Sequence, residues 1–152
     1  MWARLRRFSA LPGPAKALVL RVVVLLPLLT ISLRMRGFAA TQRFLRKFLA
    51  PPEQRSPVTG AADSRVALTS RMVLAAARNS PIPSTCLERS LALWWLLARQ
   101  NVATRFRIGV KKDGEKFAAH AWVERNGAAI GEPEASHLHY AAFAEEISGD
   151  VS

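Results

Sequence analysis

Residues 17–33 (ALVLRVVVLLPLLTISL) are the most apolar stretch of the chain. A membrane-crossing helix wants about 20 apolar residues with few charges. This run is shorter, Arg21 interrupts it, and Pro27 is expected to kink it. Cations flank both ends, so charge asymmetry assigns no orientation. Three readings stay open: a buried or partner-docked helix, a membrane-associated helix, or the apolar part of a signal cleaved after Phe38-Ala39-Ala40. In residues 38–49, Phe38, Phe44, Leu45, Phe48 and Leu49 recur near helical spacing, with Arg43, Arg46 and Lys47 mostly on the other side. That pattern predicts an amphipathic basic helix. Three prolines and a glycine in residues 50–61 mark a linker. A helix is expected over 62–79, with Val66, Met72, Val73 and Ala76 inward and Arg65, Arg71 and Arg78 outward; Asn79-Ser80-Pro81-Ile82-Pro83 stops it.

The next element has strong local signals. Thr85 followed three residues later by Glu88 is a capping box. Residues 91–98 (LALWWLLA) are apolar on nearly every side, which predicts a buried helix ending near Arg99-Gln100-Asn101. The period then changes to two. Residues 105–111 alternate, Asp113-Gly114 marks a hairpin, 116–125 form a second strand, a turn follows at 125–127, and 128–132 form a third strand. The tail 138–147 (LHYAAFAEEI) reads as a short amphipathic helix. Helices followed by an antiparallel meander make an α+β arrangement. The expected organisation is a basic, apolar helical region over 1–60 and a folded core over 61–152.

Charge sharpens that division. The net charge is +11 over 152 residues. Residues 1–50 hold ten Lys or Arg and no Asp or Glu, whereas 51–152 hold twelve cations against eleven anions. The N-terminal third therefore attracts anionic surfaces or partners. One cysteine excludes a disulfide framework and any multi-thiolate metal site.

That cysteine, Cys86, directly follows the predicted cap and opens the buried helix. Unpaired amide N–H groups and the helix dipole favour negative charge there, which suits a nucleophilic sulfur and a developing oxyanion. The alternative is a small buried hydrophobe. His120, in Ala118-Ala119-His120-Ala121-Trp122, has small neighbours and is expected on the inward strand face, where it can serve as base to the thiol. A buried histidine bonded to the backbone is the alternative. Glu132 is the candidate to orient the imidazole, and the turn decides. A two-residue Asn126-Gly127 turn opposes Arg125 to Ala128 and puts Glu132 on the other face. A three-residue loop opposes Glu124 to Ala128 and sets His120 against Glu132. Both turns are chemically allowed, and only the second builds a triad.

This chain order of Cys, His and acid resembles a transglutaminase or papain-like thiol core. Cys86-Leu87-Glu88-Arg89-Ser90-Leu91, Phe106-Arg107-Ile108-Gly109-Val110 and Ala119-His120-Ala121-Trp122-Val123-Glu124 resemble the lasso-peptide leader peptidases. The likeness implies a cysteine peptidase with Cys86 as nucleophile, His120 as base and Glu132 as the acid, where the family usually has Asp. It implies no cofactor and no metal. The partners it implies are a precursor peptide, a separate winged-helix leader-recognition protein and an ATP-dependent, asparagine-synthetase-like lasso cyclase, with no nucleic acid. The expected location is the cytoplasm, with membrane-surface contact open through residues 1–50.

Other features weigh less. His137-x-His139 is expected to be loop histidines rather than a metal site. Arg105 and Arg107 either solvate a strand face or meet an acidic leader, and Trp122 either lines a groove or packs the core. Two rival functions stand beside the peptidase: a basic adaptor docking on a membrane or partner with an inert transglutaminase-like module, and an acyl transferase on the same three residues.

Overall fold

The computed structural model describes residues 12–49, 61–80, 82–113, 116–131 and 140–142. The chain forms α1 (Gly13–Arg46), α2 (Ala61–Asn79), α3 (Cys86–Arg99), β1 (Arg105–Asp113), β2 (Lys116–Arg125), β3 (Ala128–Ile130) and β4 (Ala141–Ala142). The antiparallel sheet has the order β3-β2-β1-β4. The expected α+β class is the one found.

The two expected N-terminal helices are one 34-residue element with a break. Helical geometry runs on through Pro27 and fails at Gly37, whose φ of 75° and ψ of 177° are open to glycine. Thr41 Oγ1 donates to the Gly37 carbonyl at 2.8 Å and also shares a 2.8 Å hydrogen bond with Ser32 Oγ, which fastens the break. Leu18, Val22, Leu25, Leu26 and Leu29 form a buried face at helical spacing. Most of that face joins Val66, Val73 and Ala76 of α2, Leu91, Trp94 and Leu97 of α3, and Phe106 and Val123 of the sheet in one core. The apolar run is thus a helix long and apolar enough to cross a membrane, with 22% of its apolar window buried against the rest of the protein.

In α2, Val66, Met72, Val73 and Ala76 are buried and Arg65, Arg71 and Arg78 exposed, as their spacing predicts. In α3 the capping box forms. Glu88 N–H donates to Thr85 Oγ1 at 3.3 Å, and Thr85 N–H donates to Glu88 Oε2 at 2.7 Å. Asn101, at φ 58°, closes the other end: its N–H reaches Ala98 O and that of Val102 reaches Leu97 O. Side chains lock the ends of α3 to its neighbours. Gln100 Nε2 donates to Thr69 Oγ1 at 3.0 Å, and Trp95 Nε1 donates to Leu45 O at 3.0 Å.

Two expectations are corrected. The tail was expected to be helical over 138–147, but Ala141 and Ala142 pair with Val110 and Gly109 as an edge strand; residues 132–139 and 143–152 lie outside the described residues. Small residues fit an edge where the ring of Trp122 already crowds Gly109. The third strand, expected to reach residue 132, ends at Ile130, because Gly131 takes a φ of 74° and leaves the ladder.

Candidate active site

Cys86 is the first residue of α3 and is half-buried. The capping box uses the N–H groups of Thr85 and Glu88, and Arg89 N–H bonds to Thr85 O. The amides of Cys86 and Leu87 have no partner among the described residues. Two donors therefore remain beside the sulfur, where a helix start favours negative charge. Ser90, one turn on, is buried and donates to Ala121 O at 2.8 Å. This bond ties α3 to β2, with Cys86 about 6 Å back toward the start of the helix.

The β1–β2 register sets which side chains share a face. Phe106 opposes Val123 and Ile108 opposes Ala121, all turned to the helices. Arg107 opposes Trp122 and Gly109 opposes His120 on the other face. The His120 ring stacks on Trp122 at 6.0 Å between centroids and tilts against Tyr140 at 5.1 Å. This corrects the expectation of an inward histidine. Period-two alternation gives the inward positions to Ala121 and Val123, so His120 takes the outer face with Trp122. Among the described residues no hydrogen bond joins Cys86 to His120. Trp122 is buried and donates to Glu124 Oε1 at 2.8 Å, and Glu124 also pairs with Arg107 Nε at 3.2 Å. Arg107 is thus engaged within the sheet, and Trp122 fills space over Gly109.

The turn between β2 and β3 is the two-residue form. Arg125 opposes Ala128, and Asn126 and Gly127 have φ of 51° and 79°. Two successive positive φ values define the hairpin turn that Asn-Gly favours. The three-residue loop that would set His120 against Glu132 is not formed. Because Gly131 interrupts the strand, the register is not continued beyond it; Glu132, His137 and His139 lie outside the described residues.

Between α2, α3 and the end of β3 lies a cavity of about 200 Å³. His120 lines it from β2, Arg89 and Ser90 from α3, and Ser70 and Arg78 from α2. Ser70 Oγ is buried there without a hydrogen-bond partner among the described residues. His120 thus meets α3 at this cavity, although its ring stacks on the outer face. Among the described residues no group of three His, Cys, Asp or Glu is placed to hold a metal. Ser90, Gly109 and Tyr140 were not singled out by sequence reasoning. Gly109 had a readable signal, since a glycine inside a strand marks a close approach; Tyr140 had none, because its segment reads as helix.

No curated protein and no solved structure matches the chain. The family model of the transglutaminase-like superfamily matches residues 25–145, a span that holds Cys86, His120 and Glu132. With a capped helix opening on its only thiol and packed on an antiparallel sheet that carries a histidine on the neighbouring strand, this chain belongs to the transglutaminase-like superfamily.

Proposed function

We propose that the chain is a cysteine peptidase that removes the leader from a lasso-peptide precursor in the cytoplasm. A separate winged-helix protein presents the leader, and an ATP-dependent cyclase closes the macrolactam on the released amine. Superfamily membership supports thiol acyl chemistry, since the superfamily includes cysteine peptidases and acyltransferases. The motifs around Cys86 and His120 support the narrower reading. The observation that carries it is the placement of the sole thiol at the first position of a capped helix, with the Cys86 and Leu87 amides left available.

The reaction follows from that placement. The Cys86 sulfur adds to the scissile carbonyl carbon, and the thiol proton passes to His120. The Cys86 and Leu87 N–H groups face the resulting oxyanion. As the C–N bond breaks, the leaving amine takes the proton from His120, which leaves a thioester. Water then attacks, His120 accepts its proton, and the leader departs as a carboxylic acid while the thiol is restored. The family resemblance, and not the β2–β3 register, gives Glu132 the part of orienting the imidazole in this scheme. In this scheme the imidazole meets the start of α3 at the cavity that His120 lines with Arg89 and Ser90.

The test is incubation of the full chain with a precursor peptide and its recognition protein, followed by mass spectrometry. Wild type should release a leader ending in a free carboxyl group, and Cys86→Ala and His120→Ala should not, while both remain folded. Equal cleavage by Cys86→Ala would falsify the reading. A leader joined to an added amine would instead assign the acyl transferase.

A further inference from the structure

Helix α1 has two apolar faces. One is the buried face described above. On the other, Leu20, Val24, Leu28, Ile31 and Met35 are 62%, 54%, 58%, 55% and 80% exposed. Spacings of four, four, three and four residues keep them within one sector of the helix, and the row runs about 22 Å. Lys16 and Arg34 project along one border of this row and Arg21 along the other, at 100° per residue. No acid occurs anywhere in residues 1–50. Beyond the break at Gly37, Phe44 and Phe48 are also exposed, close to Arg43 and Lys47. Leu20, Val24 and Leu28 continue into an open groove of about 450 Å³ shared with Trp95 and Leu96 of α3. Arg21 and Arg99 also line this groove, and Arg99 lies over the Trp95 ring at 5.0 Å.

We propose that this face seats the protein on the surface of an anionic phospholipid bilayer, with α1 lying in the interfacial plane. Val22, Leu25, Leu26 and Leu29 are committed to the core, so α1 is not free to cross the bilayer. A row of apolar side chains bordered by cations matches hydrocarbon beneath a layer of anionic headgroups. The leucines and Met35 enter the acyl boundary, while Lys16, Arg21 and Arg34 stay at the level of the phosphates. A second copy of the chain fits less well, because a self-complementary contact through this face would bring cations against cations. A protein partner would need an apolar strip edged by acids on both sides.

The proposal is tested by co-sedimentation of the full chain with vesicles of phosphatidylcholine alone or with phosphatidylglycerol added. Binding should be at least ~10-fold tighter to the anionic vesicles and should collapse at about 0.5 M salt. The double variant Val24→Glu/Leu28→Glu should lose binding. Both positions are exposed, so its circular dichroism and melting temperature should match wild type. Arg21→Gln/Arg34→Gln, which leaves the apolar row intact, should bind anionic vesicles several-fold more weakly. Cys86→Ala should bind like wild type, which separates this result from the fate of the peptidase reading. The proposal is overturned if wild type stays in the supernatant with anionic vesicles, or if the double Glu variant binds as wild type does. A dimeric mass that the same variant reduces to monomer would give the face to a second copy instead.

Discussion

Replacing Gly109 by alanine tests how tightly the sheet is built around His120. A methyl group there would lie 2.8 and 3.0 Å from two ring carbons of Trp122 and 2.9 Å from the Ala141 carbonyl oxygen. Comfortable carbon contacts are about 3.5–4.0 Å, so the neighbours must retreat by several tenths of an ångström. Neither retreats easily. Trp122 is buried and anchored by its hydrogen bond to Glu124, and Ala141 is backbone in a two-residue strand. Overpacking of this kind costs about 1–3 kcal/mol, or roughly 3 °C of melting temperature per kcal/mol for a chain of this size. Because His120 stacks on Trp122, peptide cleavage should fall with stability. Thermal unfolding followed by circular dichroism reads the first effect and leader release the second. Gly13→Ala is the control, since a methyl there meets nothing within 4 Å. A Gly109→Ala protein that melts within 1 °C of wild type would refute the packing argument.

Two further outcomes follow from single side chains. Thr85→Ala removes the acceptor for Glu88 N–H and should lower stability by about 1 kcal/mol. Thr85→Ser should keep most of it, as measured by urea denaturation. Ser70→Ala removes a buried hydroxyl that has no hydrogen-bond partner among the described residues, so stability should hold or rise by about 1 kcal/mol. A clear loss in the same titration would mean that the hydroxyl is bonded.

The legible parts of this fold are those whose causes are local. The capping box at Thr85 and Glu88, the core face of α2 and the two hairpins all follow from residues a few positions apart. The Asn126-Gly127 dipeptide left two registers open, and the choice between them decided which face Glu132 would share with His120. The pair adopts the two-residue turn, and Gly131 then takes the chain out of the ladder. The small neighbours of His120 suggest space around an inward ring, but they do not set its direction. In the sheet, alternation is fixed by Ala121 and Val123 against α3, and the space over Gly109 admits Trp122 and His120 on the other side. The edge strand at Ala141 was illegible for a different reason. Its alanines and Tyr140 carry a helical pattern, and only the partner strand makes them β. The apolar run of α1 was ambiguous in sequence because it has two apolar faces, of which the core takes one.

The proposed chemistry rests on Cys86 as a nucleophile served by His120. Cys86 is the only thiol in the chain, so alkylation by iodoacetamide, followed by intact mass, has a single source. The measurement is the alkylation rate at neutral pH of wild type and His120→Ala, with and without a precursor peptide and its recognition protein. Wild type should alkylate rapidly at a rate that the bound peptide alters, and His120→Ala should react at least ~10-fold more slowly. Equal rates in the two proteins under both conditions would contradict it and leave Cys86 a structural residue at the head of its helix.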